Sequence, residues 1–181
     1  ALTTTRSLGQ SGALAVGGDT TINAGTNAIT LTNASNSFGG AVNLTGGATQ
    51  ITSGAGLNLG TVNTGTLTAT STGALVFGTT AVSGSLSATS NRGFIMQNGA
   101  LTIAGNSTFN AGTGAISLTN VGNWFGGTVN LTGSATTISS ASALTFGNVN
   151  TDTLVATSLG PMNLGTGTVR SNLSASTIDK A

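Results

Sequence analysis

Apolar residues along this chain come in pairs separated by one small or polar residue. Examples are Leu14-x-Val16, Ile29-x-Leu31, Val42-x-Leu44, Leu57-x-Leu59, Leu75-x-Phe77, Leu101-x-Ile103, Ile116-x-Leu118, Val129-x-Leu131 and Leu144-x-Phe146. Alternation with a period of two marks strands with one buried face. The pairs are separated by clusters of Gly, Asn, Ser and Thr, such as residues 33–36, Gly46-Gly47 and residues 52–54. These are turn residues. Leu, Glu, Lys and Arg at helical spacing are missing and Gly occurs 29 times, so helix is not expected. In residues 23–40 the alternation turns Ile29 and Leu31 inward and Ala28, Thr30 and Thr32 outward. Phe38 reads as a core plug at a corner. The Gly-Gly that follows it is expected to supply a tight bend, reaching positive φ where the turn demands it.

The pattern repeats at long range. Shifted by 87 residues, the chain lies on itself without a gap: Ala1 meets Ala88, Gln10 meets Gln97, Leu14 meets Leu101 and Leu86 meets Leu173. Between Asn23–Thr49 and Asn110–Thr136, 20 of 27 positions are identical. Two repeats, 1–87 and 88–174, leave a stub at 175–181 that begins a third. A sandwich has no need for halves that match through strands and turns alike. A solenoid does, because equivalent residues of successive coils stack in ladders. The expected fold is therefore all-β, a parallel β-helix forming one segment over residues 1–181. At roughly 20 residues per coil, 87 residues make about four coils and the chain about eight. At about 4.8 Å per coil the rod is on the order of 40 Å long.

Phe125 is the equivalent of Phe38, and Trp124 stands beside it where the first repeat has Ser37. Alternation places Trp124 outside, as a contact residue or a lid over a turn. Asn23/Asn110, Asn33/Asn120 and Asn43/Asn130 recur at the repeat length, and stacked amides can hydrogen-bond along a coil axis.

Composition removes most chemistry. Seven residues are charged: Arg6, Asp19, Arg92, Asp152, Arg170, Asp179 and Lys180. There is no Glu, His, Cys or Tyr, and the net charge is +1. Typical domains carry about 25% charge; this chain carries 4%. With no basic patch, nucleic-acid binding is not expected. Without Cys there is no disulfide framework. Most general acid–base and nucleophilic schemes lack their parts, so no catalytic residue and no enzyme activity are expected. Asp152 replaces Gly65 of the first repeat and Asp19 is matched by Asn106, so neither forms a recurring calcium site. Gly17-Gly18-Asp19 is only a fragment of the calcium-binding nonapeptide pattern. No phosphate-loop motif occurs, and Arg92 and Arg170 are not equivalent, so they are expected to decorate turns. No metal ligand and no cofactor are assigned.

Two surface features remain. Five N-x-[ST] sequons occur, at Asn33, Asn43, Asn106, Asn130 and Asn172. In a chain so rich in these residue types they read as solvated strand and turn residues. Thr66, Thr68, Thr70 and Thr72 alternate around Leu67 and Ala69. A Thr-x-Thr face can order water and bind ice, but it needs the same pair on every coil. At a shift of 87 the second repeat keeps Thr153 and Thr157, yet has Val155 for Thr68 and Leu159 for Thr72. The sequence does not show the recurring pair.

Residues 11–33, 38–49 (FGGAVNLTGGAT) and 64–90 resemble the shaft repeats of large Gram-negative surface adhesins. That group comprises the filamentous-haemagglutinin-type proteins of two-partner secretion and similar autotransporter passengers. The resemblance covers nearly the whole chain and is one of repeat style, carrying no site residues. It implies a right-handed parallel β-helix shaft, exported unfolded through an outer-membrane transporter and folded outside the cell. The expected role is a structural segment of an extracellular adhesin or matrix filament, supporting attachment, cell–cell contact or biofilm. Its expected partners are neighbouring coils or end-to-end copies, with glycans or surfaces beyond them. The alternatives are a secreted ice-binding solenoid and a stand-alone subunit that polymerises through its ends. Neither end shows a polar or helical cap, so the chain is expected to be a piece of a longer rod.

Overall fold

The fold was obtained as a computed structural model that describes residues 1–178. The final residues of the third-repeat stub, including Asp179 and Lys180, lie outside the described residues. The described chain is an all-β parallel solenoid of about nine turns without helix. Of its 23 strands, 21 form one continuous sheet wound around a central core. The short strands Ala15–Val16 and Ser37–Phe38 pair separately.

Each coil presents three strand segments, which are separate strands in some coils and fused in others, as in Ala41–Ser53 and Leu57–Ser71. In one central coil these are Leu101–Ile103, Ser107–Asn110 and Ile116–Leu118. They define three faces. On the first, Leu2, Ile22, Leu44, Val62, Thr80 and Leu101 pair in succession. On the second the succession is Leu8, Ile29, Thr49, Leu67, Leu86, Ser107 and Val129. The third runs from Leu75 through Ile95, Ile116, Thr136 and Leu154 to Leu173.

These ladders show what the 87-residue repeat is. Ile22 lies on the first face, but its equivalent Phe109 lies on the second, paired with Ala88 and Leu131. Ile29 of the second face becomes Ile116 of the third. Thus a repeat is four coils plus one face, and it turns the sequence by a third of a turn about the axis. Two such repeats come to nearly nine coils, which corrects the expected eight.

The strand period does what the sequence predicts. Ile29 and Leu31 are buried while Thr30 and Thr32 are exposed. One apolar column runs from Ile22 to Ala156 through the centre. Each fully buried Leu, Ile or Phe contributes about 1.5–3 kcal/mol relative to exposure. Phe77, Phe109 and Phe125 meet edge to face, with ring centroids 6.3 and 6.2 Å apart. They point inward from different faces and fill the middle of the rod.

Phe38 and Phe125 are buried as expected. The Gly-Gly that follows each does not take positive φ. A Cβ on Gly126 would meet the Ala104 carbonyl oxygen at 2.7 Å, and one on Gly127 the Asn106 Oδ1 at 2.6 Å. These glycines therefore let one coil approach the one before it. The left-handed conformation is found instead at the equivalent pair Gly25 and Gly112, at φ 59° and 58°, and at Gly165, at φ 65°. The amides of Gly25 and Gly112 are held by Asn23 and Asn110 side chains, each at 2.9 Å.

Candidate functional site

Among the described residues the charged side chains gather nowhere beyond the Asp152–Arg170 pair. Among the described residues, no three His, Cys, Asp or Glu side chains gather where a metal could bind. Asp19 Oδ1 accepts the Ala41 amide at 2.8 Å, and Asn106 Oδ1 accepts the Thr128 amide at 3.0 Å in the equivalent place. The position requires an acceptor oxygen, which explains why Asp and Asn exchange there. Asp152 and Arg170 sit on adjacent coils and pair at 3.1 Å, both more than half exposed. They stand where the first repeat has Gly65 and Ser83, so the two charges enter together as partners. Arg92 is exposed in the turn before Phe94.

The recurring asparagines divide by role. Asn33 and Asn120 accept amides two residues ahead and shape their own turns. Asn43 and Asn130 reach the next coil, accepting the amides of Thr61 and Asn148 across a bulge. The expected stack of Asn on Asn does not occur among these residues, because each amide is taken by nearby backbone. Asn43 and Asn130 do bond along the coil axis, but to backbone; the axial contact between side chains is made by other residues. Asn123 is fully buried and pairs reciprocally with Gln97 on the preceding coil. Asn36 and Gln10 do the same one repeat earlier. The signal was present in Gln10 meeting Gln97 at the 87-residue shift, but nothing in spacing marks a polar residue as buried.

The most regular surface is the outward side of the second face. One column runs Thr30, Gln50, Thr68, Ser87, Thr108 and Asn130 on consecutive coils. The other runs Thr52, Thr70, Thr89, Asn110, Thr132, Asn150 and Thr168. The first is interrupted by the bulge at Asn130 and resumes with Asn148 and Thr166. All of these residues are exposed or half-buried, and none is charged, aromatic or aliphatic. Their inward neighbours Leu67, Ala69, Ala88 and Phe109 are buried and hold the strands flat against the core. The threonine hydroxyls that bond within the described protein are those of Thr4, Thr49, Thr80, Thr157 and Thr166. Those of Thr30, Thr68, Thr70, Thr89, Thr108 and Thr132 are left to solvent.

The columns are polar throughout, but between residues 50 and 132 the pair is Thr-x-Thr only at Thr68/Thr70; the neighbouring coils carry Gln50/Thr52, Ser87/Thr89, Thr108/Asn110 and Asn130/Thr132. Comparison at 87 residues moves one face around the rod, from Thr68 on the second face to Val155 on the third. The spacing that stays on one face is the coil, 18 to 22 residues long in these pairings. Because that length varies, no fixed shift reveals the column.

A groove of about 340 Å³ lies at the last coil, lined by Val149, Leu154, Leu164, Val169 and Leu173. It lies at the end of the described core, where Leu164, Leu173 and Ile178 are 43 to 51% exposed among the described residues. Along the rod Trp124 is exposed, as alternation predicts, with its ring against Gly126.

No curated protein and no solved structure matches the chain. A family model described as repeats of unknown function (DUF5649) matches residues 1–45 and 64–132. The two matched segments end at Thr45 and Thr132, which are equivalent positions one repeat apart. With more than half of its length matched by that model, the chain belongs to this family of repeats.

Proposed function

We propose that this chain is a shaft segment of a large extracellular adhesin or matrix filament on a bacterial surface. Its role is mechanical: to project a binding domain, or to scaffold attachment, cell–cell contact and biofilm. The observation that carries this reading is the uninterrupted apolar column from Ile22 to Ala156, enclosed by strands that pair with the coils immediately before and after. Such a rod grows by adding coils, each of which contacts only its neighbours. Local, coil-by-coil contacts also suit a chain that leaves through an outer-membrane transporter and folds as it emerges. Low charge and the lack of Cys favour the same route.

In this reading the partners are neighbouring coils, with glycans or surfaces touched weakly along the rod. No reaction is assigned to it. A following coil, from the same polypeptide or another copy stacked end to end, would cover Leu164, Leu173 and Ile178.

The test is the size and location of the native polypeptide, read with an antibody to this segment on whole cells, medium and a denaturing gel. A surface-exposed chain many times longer than 181 residues supports the shaft. A free secreted chain near 17.3 kDa overturns it.

A further inference from the structure

We propose that the outward side of the third face is where a second copy of this chain packs, rod against rod and antiparallel. This contact is separate from the mechanical role and is the same for a free chain as for a piece of a shaft.

Two columns of outward residues run along this face. One passes through Asn58, Val76, Met96, Ser117, Thr137 and Val155 on six consecutive coils. The other holds the residues two positions earlier on each coil: Gly56, Ala74, Phe94, Ala115, Ala135 and Thr153. Neither column contains a charge. Phe94 and Val155 are 44 and 43% exposed, and Val76 and Met96 are half-buried. The other large apolar side chains exposed among the described residues lie in the first or last coil, or at the corner of Val121 and Trp124.

Strand structure does not demand these side chains. The repeat turns each position by one face, and Val76, Phe94, Met96 and Val155 have Asn163, Ser7, Gly9 and Thr68 as equivalents on the other faces. Ala115 and Ala135 recur as Ala28 and Ala48, so the four large residues are what sets this face apart.

The face is also self-complementary. A copy turned about an axis along the strands, between the coils of Met96 and Ser117, meets it with bulk against small residues. Phe94 and Met96 then face Ala115 and Ser117, and Ala74 and Val76 face Ala135 and Thr137. Val155 faces Asn58, in a groove of about 380 Å³ lined in part by Ser37, Gly39, Ala55, Ala74 and Val76. A parallel copy would set Phe94 against Met96 and groove against groove. Sheet faces pack about 10 Å apart with interdigitating side chains, which alternating bulk permits. Six coils and about five residues of strand give a contact of roughly 460 Å² per copy. About 900 Å² in all is the small end of specific interfaces, so a short segment pairs weakly.

Other occupants fit less well. A polyion finds no charge in the columns, and Arg92 stands in the turn at their rim. A sugar chain would set its hydroxyls against Val76, Met96 and Val155 without polar partners.

Sedimentation equilibrium of the purified 181-residue chain, through the micromolar range, tests this. Met96→Lys and Val155→Lys alter the face, and Thr70→Lys on the second face is the control. Circular dichroism verifies that each variant keeps its strand content. The expected result is reversible growth toward twice 17.3 kDa in the parent and in Thr70→Lys, weakened about tenfold or more in both face variants. The chain has no cysteine of its own, so orientation is read by cross-linking. Mixed chains carrying Asn58→Cys and Val155→Cys should be joined by a short bismaleimide, and Val155→Cys alone should not. A monomeric parent overturns the proposal, as does association that survives Met96→Lys and so belongs to the rod ends. Cross-linking of Val155→Cys to itself overturns the antiparallel pairing. Retention of a monomeric parent on phospholipid vesicles, abolished by Met96→Lys, would give the face to a lipid surface instead.

Discussion

Gln97 and Asn123 hold adjacent coils together by a reciprocal amide pair, Nε2 to Oδ1 and Nδ2 to Oε1, both at 2.8 Å. Asn123 also accepts the Leu101 amide and donates to the Leu118 and Ser139 carbonyls at 3.1 and 3.2 Å. One fully buried side chain thus joins its own coil to the one on either side.

Removing that side chain leaves several buried backbone groups without partners. Each such group costs about 1–3 kcal/mol. Asn123→Ala is expected to lower stability by on the order of 3 kcal/mol in urea unfolding. Asn36→Ala should behave alike, since its partners are the same one repeat earlier. Asn120→Ala, which touches only its own exposed turn, should stay within about 1 kcal/mol. Equal losses at 120 and 123 would show that the clamp adds nothing.

The aromatic column gives a second contrast. Phe109 touches both Phe77 and Phe125 edge to face. Phe109→Ala should cost about 3–5 kcal/mol, because the rigid coils around it cannot close the cavity. Trp124→Ser, which restores the first-repeat residue on the surface, should change stability by less than about 1 kcal/mol. Urea midpoints of the two variants decide the matter.

Buried hydroxyls without partners predict a gain. Thr64 and Thr151 are equivalent inward positions, 3% and 0% exposed, and neither Oγ1 has a hydrogen-bond partner. Valine keeps the shape and removes the desolvated oxygen. Thr151→Val should therefore stabilise the protein by about 1 kcal/mol. A rise in melting temperature is the readout, and a fall would mean that the hydroxyl is satisfied by water.

The face-shifting repeat can be tested by cross-linking, since the chain has no cysteine of its own. Thr68 and Ser87 are paired neighbours on the second face. Paired residues on adjacent strands fall within the 4.4–6.8 Å Cα range, roughly, that a disulfide spans. Thr68→Cys with Ser87→Cys should oxidise readily to an intramolecular bond. Ser87→Cys with Thr108→Cys should oxidise too, although Thr108 is the repeat equivalent of Thr21 on the first face. Failure of this second bond to form would refute the third-of-a-turn rotation.

Much of this fold was legible in the residues. Pairs such as Ile29-x-Leu31 fixed strand character and inward orientation, because a strand's side chains alternate whatever lies around it. The match of Asn23–Thr49 to Asn110–Thr136 required a stacked architecture. Turn chemistry was legible too, although its mechanism was not. Gly39 and Gly126 looked like left-handed corners, but they are glycine because another coil passes close by. That neighbour is some twenty residues distant in sequence, beyond the reach of local pattern.

The sequence by itself determined the period, the strands, the coil-stacking principle and the scarcity of reactive groups. Those properties are local, or are carried by composition. Only the tertiary structure decided which residues share a face. An 87-residue repeat that closes four coils and a third cannot keep equivalent positions aligned, and coils of 17 to 22 residues hide the true spacing. The same winding buried Asn36 and Asn123, turned Trp124 outward on the first face, and gathered scattered threonines into columns. Register between coils is set by the packing of the core, and the core exists only once the chain has wound around it.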